Sequence, residues 1–421
     1  MDSQTTRAES ELEKERQRLL EQLLADEGLD APLAATISPR DPSAPVPLTF
    51  AQEVLWLLDR ATPGLTAYNT PLARRVRGSL DVGALERALG GVAERNEALR
   101  TVFHAKGDGA EQIVLPESSV AVRVHDVSAL PPGQREAAAL VALRAVANTP
   151  FDLAREPGFR AALARIADDD HILLLLTHHI VSDAWSYGLI FRELGELYDA
   201  ERNGTAPDLP PAGLHFGDYA AWQRDTLHGD TLEEGLSYWR ERLAALPVLE
   251  LPTDHARPAV QGFAGARRTV VIPRRTYAAL RELAQRTGTT TYMVLLSAYA
   301  AVLRQYTAQD DIVVGSAVAG RTSREMEEMV GYFSQALPMR VRFEGDPTVS
   351  ELLARVAETV LGAFEHQDTP LEPLVLELQS GRTQSHAPLF RVVLTMQDTM
   401  GAELRLGDAS ISAVELDAAG T

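Results

Sequence analysis

Apolar residues recur at helical spacing in several stretches of the chain. Between positions 9 and 28, Leu12, Leu19, Leu20, Leu23 and Leu24 fall on one stripe that stops at Gly28. Such a stripe docks a partner helix or packs on its own body, and the second is the expectation. Residues 80–95 place Leu80, Val82, Leu85, Leu89 and Val92 on one face, and 137–148, 276–287, 292–305 and 349–365 read as further helices. Short stretches at 267–272, 312–318 and 390–396 read as strands. The run 171–177 shows no alternation of apolar and polar positions, as expected of a strand buried on both faces. Four prolines within 38–47 make a linker, so the globular body begins near Leu48, and a second proline-rich stretch at 207–211 marks another boundary. Helical and strand patterns alternate on both sides of that boundary. The expectation is an α/β protein with two similar lobes: an N-terminal helix and linker at 1–47, one lobe at 48–210 and a second at 211–421.

Composition narrows the function. At 421 residues and 45% hydrophobic, the chain is too long for one ordinary core. Its 59 acidic and 40 basic residues give a formal charge of −19, which repels phosphate backbones and argues against a nucleic-acid partner. The absence of cysteine excludes disulfides, a cysteine nucleophile and thiolate zinc sites, and fits a cytoplasmic location. The charged first thirty residues lack a secretory signal, and no apolar run is long enough to span a membrane.

The densest chemistry lies directly after the buried strand, in His178-His179-Ile180-Val181-Ser182-Asp183-Ala184-Trp185-Ser186. A strand ending at a crevice, then a turn, then a helix from about Trp185 is a common place for catalytic groups. Histidine serves as acid and base near neutrality. Asp183 is close enough to buttress the loop, and Ala184 and Trp185 offer backbone N–H groups at a helix start, where developing negative charge is stabilised. Three readings remain open from this segment alone. His179 and Asp183 have a metal-compatible spacing but no nearby third ligand; the two histidines are structural; or they act in catalysis.

The nine-residue string is similar to the His-His-x-x-x-Asp-Gly signature of the condensation domains of nonribosomal peptide synthetases, in the wider chloramphenicol acetyltransferase-like superfamily. Further words resemble that family's motifs in order: Thr49-Phe50-Ala51-Gln52-Glu53-Val54-Leu55-Trp56, with Val54 for the usual Arg; Arg95-Asn96-Glu97-Ala98-Leu99-Arg100, with Asn96 for the usual His; Phe216-Gly217-Asp218-Tyr219; Val330-Gly331-Tyr332-Phe333-Ser334-Gln335, with Ser334-Gln335 for Val-Asn; His366-Gln367-Asp368; and 388–397, ending at Gln397. Ala184 stands where the family has Gly. Trp185 preceding Ser186 favours condensation over an epimerization-type relative.

The resemblance implies two acetyltransferase-like lobes in a V, with an active-site tunnel between them, and a second lobe lacking the family's last strands and helix. It implies an acyltransferase of antibiotic or other secondary-metabolite biosynthesis. Donor and acceptor peptidyl carrier proteins would present substrates on phosphopantetheine arms, with no cofactor or metal bound by the domain itself. The protein would be monomeric, beside neighbouring synthetase domains. On this reading His179 is the general base or positioning residue, His178 and Ala184 belong to the catalytic loop with His178 expected to be structural, and Trp185, Ser186, Ser334 and Gln397 are candidate substrate contacts, with Ser186 expected rather to cap the helix start. Asp183 forms a structural ion pair with Arg321, Arg340 or Arg100. Ala184 costs something, and narrows the site, if that position needs a positive φ or close approach of a substrate. The alternative is a catalytically silent scaffold that binds carrier proteins.

Overall fold

The computed structural model of the chain describes residues 37–107, 109–117, 120–256, 265–379, 389–396 and 404–416. The chain divides into two compact units, Met1–Ser38 and Pro39–Thr421. The leucine stripe at 9–28 lies outside the described residues, and every element below belongs to the second unit.

The first half runs β1 (Val46–Pro47), α1 (Phe50–Ala61), β2 (Asn69–Arg77), α2 (Val82–Arg95), a 3-10 turn (Glu97–Arg100), β3 (Thr101–Lys106), β4 (Gly109–Val114), β5 (Val122–Asp126), α3 (Pro132–Ala147), β6 (Phe159–Ala167), β7 (Asp170–His178) and α4 (Ala184–Asn203). The second continues with α5 (Phe216–Thr226), α6 (Gly229–Arg242), α7 (Arg274–Thr287), α8 (Thr291–Thr307), β8 (Asp311–Val318), α9 (Arg324–Glu327), β9 (Gln335–Arg342), α10 (Val349–Glu365), α11 (Glu372–Gln379) and β10 (Ser410–Val414).

The unbroken apolar run is the centre of a five-stranded sheet ordered β10-β2-β7-β6-β5. β7 is antiparallel to both neighbours, and only β5 and β6 run parallel. Its continuous burial therefore reflects cover on both faces rather than parallel pairing. Helix α3 packs on β6, β2 and β7, while α4 sets Phe191 under Arg74 of β2 and bonds the Tyr187 hydroxyl to the Thr70 carbonyl. Helix α3 starts five residues before the periodicity does, because Pro132 is preorganised for the first helical position. The arginines of β2 (Arg74, Arg75, Arg77) hide a strand that apolar patterning alone does not reveal.

Strand β10, late in the chain, pairs with β2 in the first half, Ser410 opposite Arg77 and Val414 opposite Ala73. In the second half β8 and β9 pair antiparallel over a core that includes Trp239, Leu296, Val314, Leu337, Met339 and Val356. Helix α10 occupies its predicted span and is fixed by a capping box, Thr348 accepting from the Glu351 N–H and Glu351 accepting from the Thr348 N–H.

Two strand expectations change. Residues 267–272 carry no ladder among the described residues, and Val270 and Val271 are 84% and 82% exposed, because nothing described covers them. The run 390–396 makes one parallel bridge rather than a strand. The Gly315 N–H donates to the Val392 carbonyl, and the Leu394 N–H donates to that of Gly315.

Candidate active site

Strand β7 delivers the two histidines to its end. The His178 N–H donates to the Gly158 carbonyl and the His179 N–H to the Tyr68 carbonyl, both at 2.8 Å, so the backbone is pinned from both sides. A Cβ on Gly158 would stand 3.1 Å from His178 Cβ and from Val181 Cγ2, so a side chain there would have to push this backbone or its neighbours by a few tenths of an ångström.

The His178 ring is buried against Phe151 and Tyr68. Its Nδ1 accepts from the Ile180 N–H at 3.1 Å, which leaves the proton of the neutral ring on Nε2. Burial, and next the neighbouring His179, push its pKa down to about 3, so His178 is neutral and serves as an acceptor inside the turn.

His179 is different. It is half-buried, and its Nδ1 lies 2.8 Å from the Ser182 carbonyl. A carbonyl only accepts, so Nδ1 carries the proton and the lone pair lies on Nε2. The ring also meets Tyr332 edge-on, with centroids 4.8 Å apart. The loop carrying it is braced from below. Thr177, Ser182, Thr70 and Tyr187 form a hydroxyl network, and the buried Gln52 of α1 donates to the Ile180 carbonyl at 3.0 Å. Gln52 also closes the capping box with Thr49, so the first motif word supports the second.

Asp183 is the N-cap of α4. It accepts from the Ser186 N–H at 3.0 Å and the Ser186 hydroxyl at 2.8 Å. Arg321 reaches it with both terminal nitrogens, at 2.5 and 3.1 Å, and the Phe333 N–H donates to it at 3.1 Å. Arg321 also donates to the carbonyls of Ala319, Met326 and Met329 and to the Ser186 hydroxyl, and its guanidinium lies over Phe333. Its oxygens are thus taken up by the start of α4, by Arg321 and by the backbone before β9.

The other predicted residues are placed as follows. Arg340 is not at Asp183; it is held by Asp311 and by the carbonyls of Arg242 and Ala244. Arg100 is not there either and donates to the Leu115 carbonyl. Arg340 is thus tied on β9 to the end of α6 and the start of β8, and Arg100 to the end of β4, which commits both guanidinium groups elsewhere. Ser186 is fully buried and exchanges hydrogen bonds with both backbone groups of Gly331, so it is a cap and inter-segment tie rather than a substrate contact. Trp185 is half-exposed and donates its indole N–H to the Glu327 carbonyl. Ala184 is the exposed first residue of α4 and is not among the positive-φ residues, so the backbone conformation does not call for glycine there. Ser334 is half-buried beside the start of β9, and Gln397 lies outside the described residues.

The remaining motif words serve the scaffold. Asn96 caps α2 and donates to Glu193, Arg40 joins Glu97 to Asp218, and His366 bonds the Gly362 carbonyl while stacking on Tyr238. Tyr332 lies inside a motif word, but nothing in its sequence context signals contact with His179. A cleft of about 310 Å³ lined by Tyr238, Arg242, Arg340, Arg342 and Arg355 includes none of the histidine-loop residues. Among the described residues no cluster of three potential metal ligands occurs, and no helix is long and apolar enough to cross a membrane.

The mixed α/β fold thus carries a histidine pair at a strand end and an aspartate locked to a distant arginine. The condensation-domain family profile matches residues 43–418, and the chain belongs to that family. It is 44% identical over 361 residues to one of the linear gramicidin synthase subunits of Brevibacillus parabrevis, covering 86% of this chain and 5% of that protein. Against phosphinothricin tripeptide synthetase PhsC of Streptomyces viridochromogenes it is 42% identical over 359 residues, covering 85% of this chain and 33% of that one. The chain spans only 5–7% of the length of the gramicidin synthase subunits it resembles. Among solved structures it is similar to the X-domain in complex with OxyB from teicoplanin biosynthesis, with a TM-score of 0.78 and 29% identity over 92% of this chain and 84% of that one. The first condensation domain of the calcium-dependent antibiotic synthetase shares the fold, with a TM-score of 0.71 at 23% identity over 88% of this chain and 84% of that one.

Proposed function

We propose that this domain joins two carrier-tethered substrates through an amide bond. The amine of an aminoacyl thioester attacks the carbonyl of a donor acyl or peptidyl thioester. The C–N bond forms, the C–S bond breaks, and the thiol of the donor phosphopantetheine arm leaves with a proton. The observation that carries this reading is the fixed tautomer of His179, with Nδ1–H on the Ser182 carbonyl and Nε2 left to accept. That nitrogen takes or orients the proton of the attacking amine.

The residues suit such chemistry. A neutral amine is already a nucleophile, so no serine or cysteine ester is required. Holding two tethered substrates in line contributes roughly 7–11 kcal/mol, and a placed histidine adds about 10²–10⁴-fold. The partners on this reading are donor and acceptor peptidyl carrier proteins and adjoining synthetase domains, in the cytoplasm. The domain holds no cofactor of its own, and the phosphopantetheine arms arrive as part of the substrates.

The test is dipeptide formation from two loaded carrier proteins. Wild type should exceed the uncatalysed rate and His179→Ala should lose about 10²-fold or more. Wild-type product at only the uncatalysed rate overturns the proposal in favour of a silent carrier-binding scaffold. An unaffected His179→Ala removes the role given to His179.

A further inference from the structure

Among the described residues the His179 ring has one polar tether, the Ser182 carbonyl, and it is half-exposed. A half-turn about χ2 interchanges Nδ1 and Cδ2 at the cost of that one hydrogen bond, and swings Nε2 away from its target. The other surface in contact with the ring is Tyr332, edge-on at an interplanar angle of 62°.

The backbone around Tyr332 is fixed on both sides. The Gly331 N–H and carbonyl both bond the Ser186 hydroxyl, and the Phe333 N–H bonds Asp183. Both anchors belong to the start of the helix that follows the His179 loop. A Cβ on Gly331 would fall 2.0 Å from the Phe216 ring, so Phe216 fills the space beneath this backbone. The Tyr332 hydroxyl itself bonds no described residue.

We propose that Tyr332 is a positioning residue. Its ring closes the second side of a clamp whose first side is the Ser182 carbonyl, so that the His179 imidazole keeps one tautomer and one orientation with Nε2 presented to the acceptor amine. The clamp is assembled across the chain, since the histidine follows β7 and the tyrosine lies in the loop before β9. The aromatic ring performs this role and the phenol oxygen does not. The rate consequence rests on the amide-bond reading above; the geometric clamp does not.

The experiment uses the full chain with ¹⁵N-labelled histidine, His179→Ala serving to assign the signal. It compares wild type with Tyr332→Phe, Tyr332→Leu and Tyr332→Ala. Wild type and Tyr332→Phe should show a single His179 tautomer with the proton on Nδ1. Tyr332→Leu and Tyr332→Ala should show averaged nitrogen signals. In the dipeptide assay, the last two should lose about 10²-fold in kcat with acceptor KM nearly unchanged, while Tyr332→Phe retains at least half. The leucine variant fills the space if the alanine variant folds poorly. A single fixed tautomer in both the Leu and Ala variants overturns the clamp, as does a Tyr332→Phe loss as large as that of Tyr332→Ala. Averaged signals in those variants alongside an inactive wild type uphold the clamp and reject the amide-bond reading instead.

Discussion

Asp183 and Arg321 meet end to end with side chains only 2% and 1% exposed, one at the start of α4 and the other just after β8. A buried pair of this kind adds little net stability over a matched apolar pair, but removing one partner strands a charge. Arg321→Ala is therefore expected to cost about 3–5 kcal/mol, read as a lower urea midpoint. Arg321→Lys should recover less than half of that, because an ammonium does not reproduce the two-nitrogen contact and the carbonyl bonds. A lysine variant as stable as wild type would show that charge alone matters.

His178 supplies a pH signature. Its folded pKa, about 3, lies below the ordinary histidine value of 6.5 because burial disfavours the cation. The unfolded chain thus binds a proton that the folded chain refuses between those values, and stability from this residue is lost as pH falls from about 6.5 toward 3. Between pH 7 and pH 5 the loss is about 2 kcal/mol. The His178→Asn side chain can still accept from the Ile180 N–H but does not titrate. Urea unfolding at the two pH values should show a smaller acid loss for the variant by about that amount. Equal losses would place His178 outside the folding equilibrium.

Ala184 offers a test in the opposite direction. As the exposed first residue of α4 it has a backbone conformation that does not call for glycine. Restoring the motif glycine with Ala184→Gly should lower stability by no more than about 1 kcal/mol and leave the dipeptide rate within a factor of two. A tenfold rise in rate would mean that the methyl group obstructs the substrate.

Gly331 is a steric prediction. A methyl there would stand 2.0 Å from Phe216 Cδ2 and would push apart the backbone bonded to Ser186. Gly331→Ala should cost about 1–3 kcal/mol by overpacking, measured by thermal unfolding. Pairing it with Phe216→Leu should return part of the loss; if it does not, the ring is not the obstacle.

Much of the site is legible without coordinates. The histidine string, the strand that precedes it and the helix that follows are local, and local pattern reveals them. The partner of Asp183 narrows to three arginines and no further, because Arg321 lies 138 positions away and no short-range rule links the two. Ser186 reads as a helix-start cap or a tunnel-wall hydroxyl, the cap being favoured, but only the coordinates reveal its second tie, to Gly331. The arginine-rich β2 escapes the apolar pattern because its long side chains lie along ring faces and carboxylates, as Arg74 does on Phe191 and Arg75 on Asp170. The strand expected at 267–272 fails for the reverse reason: apolar composition does not by itself supply a pairing partner.

The pairing of β10 with β2 has a consequence for how the chain acquires its shape. Roughly 330 residues separate Arg77 from its partner Ser410. At a ribosomal rate of about 5–20 residues per second, the outer edge of β2 waits for tens of seconds before the strand that covers it has been made. During that interval the edge presents unpaired N–H and carbonyl groups to any other extended segment. The three arginines of β2 then act as gatekeepers, adding charge to a strand that would otherwise attract stray partners.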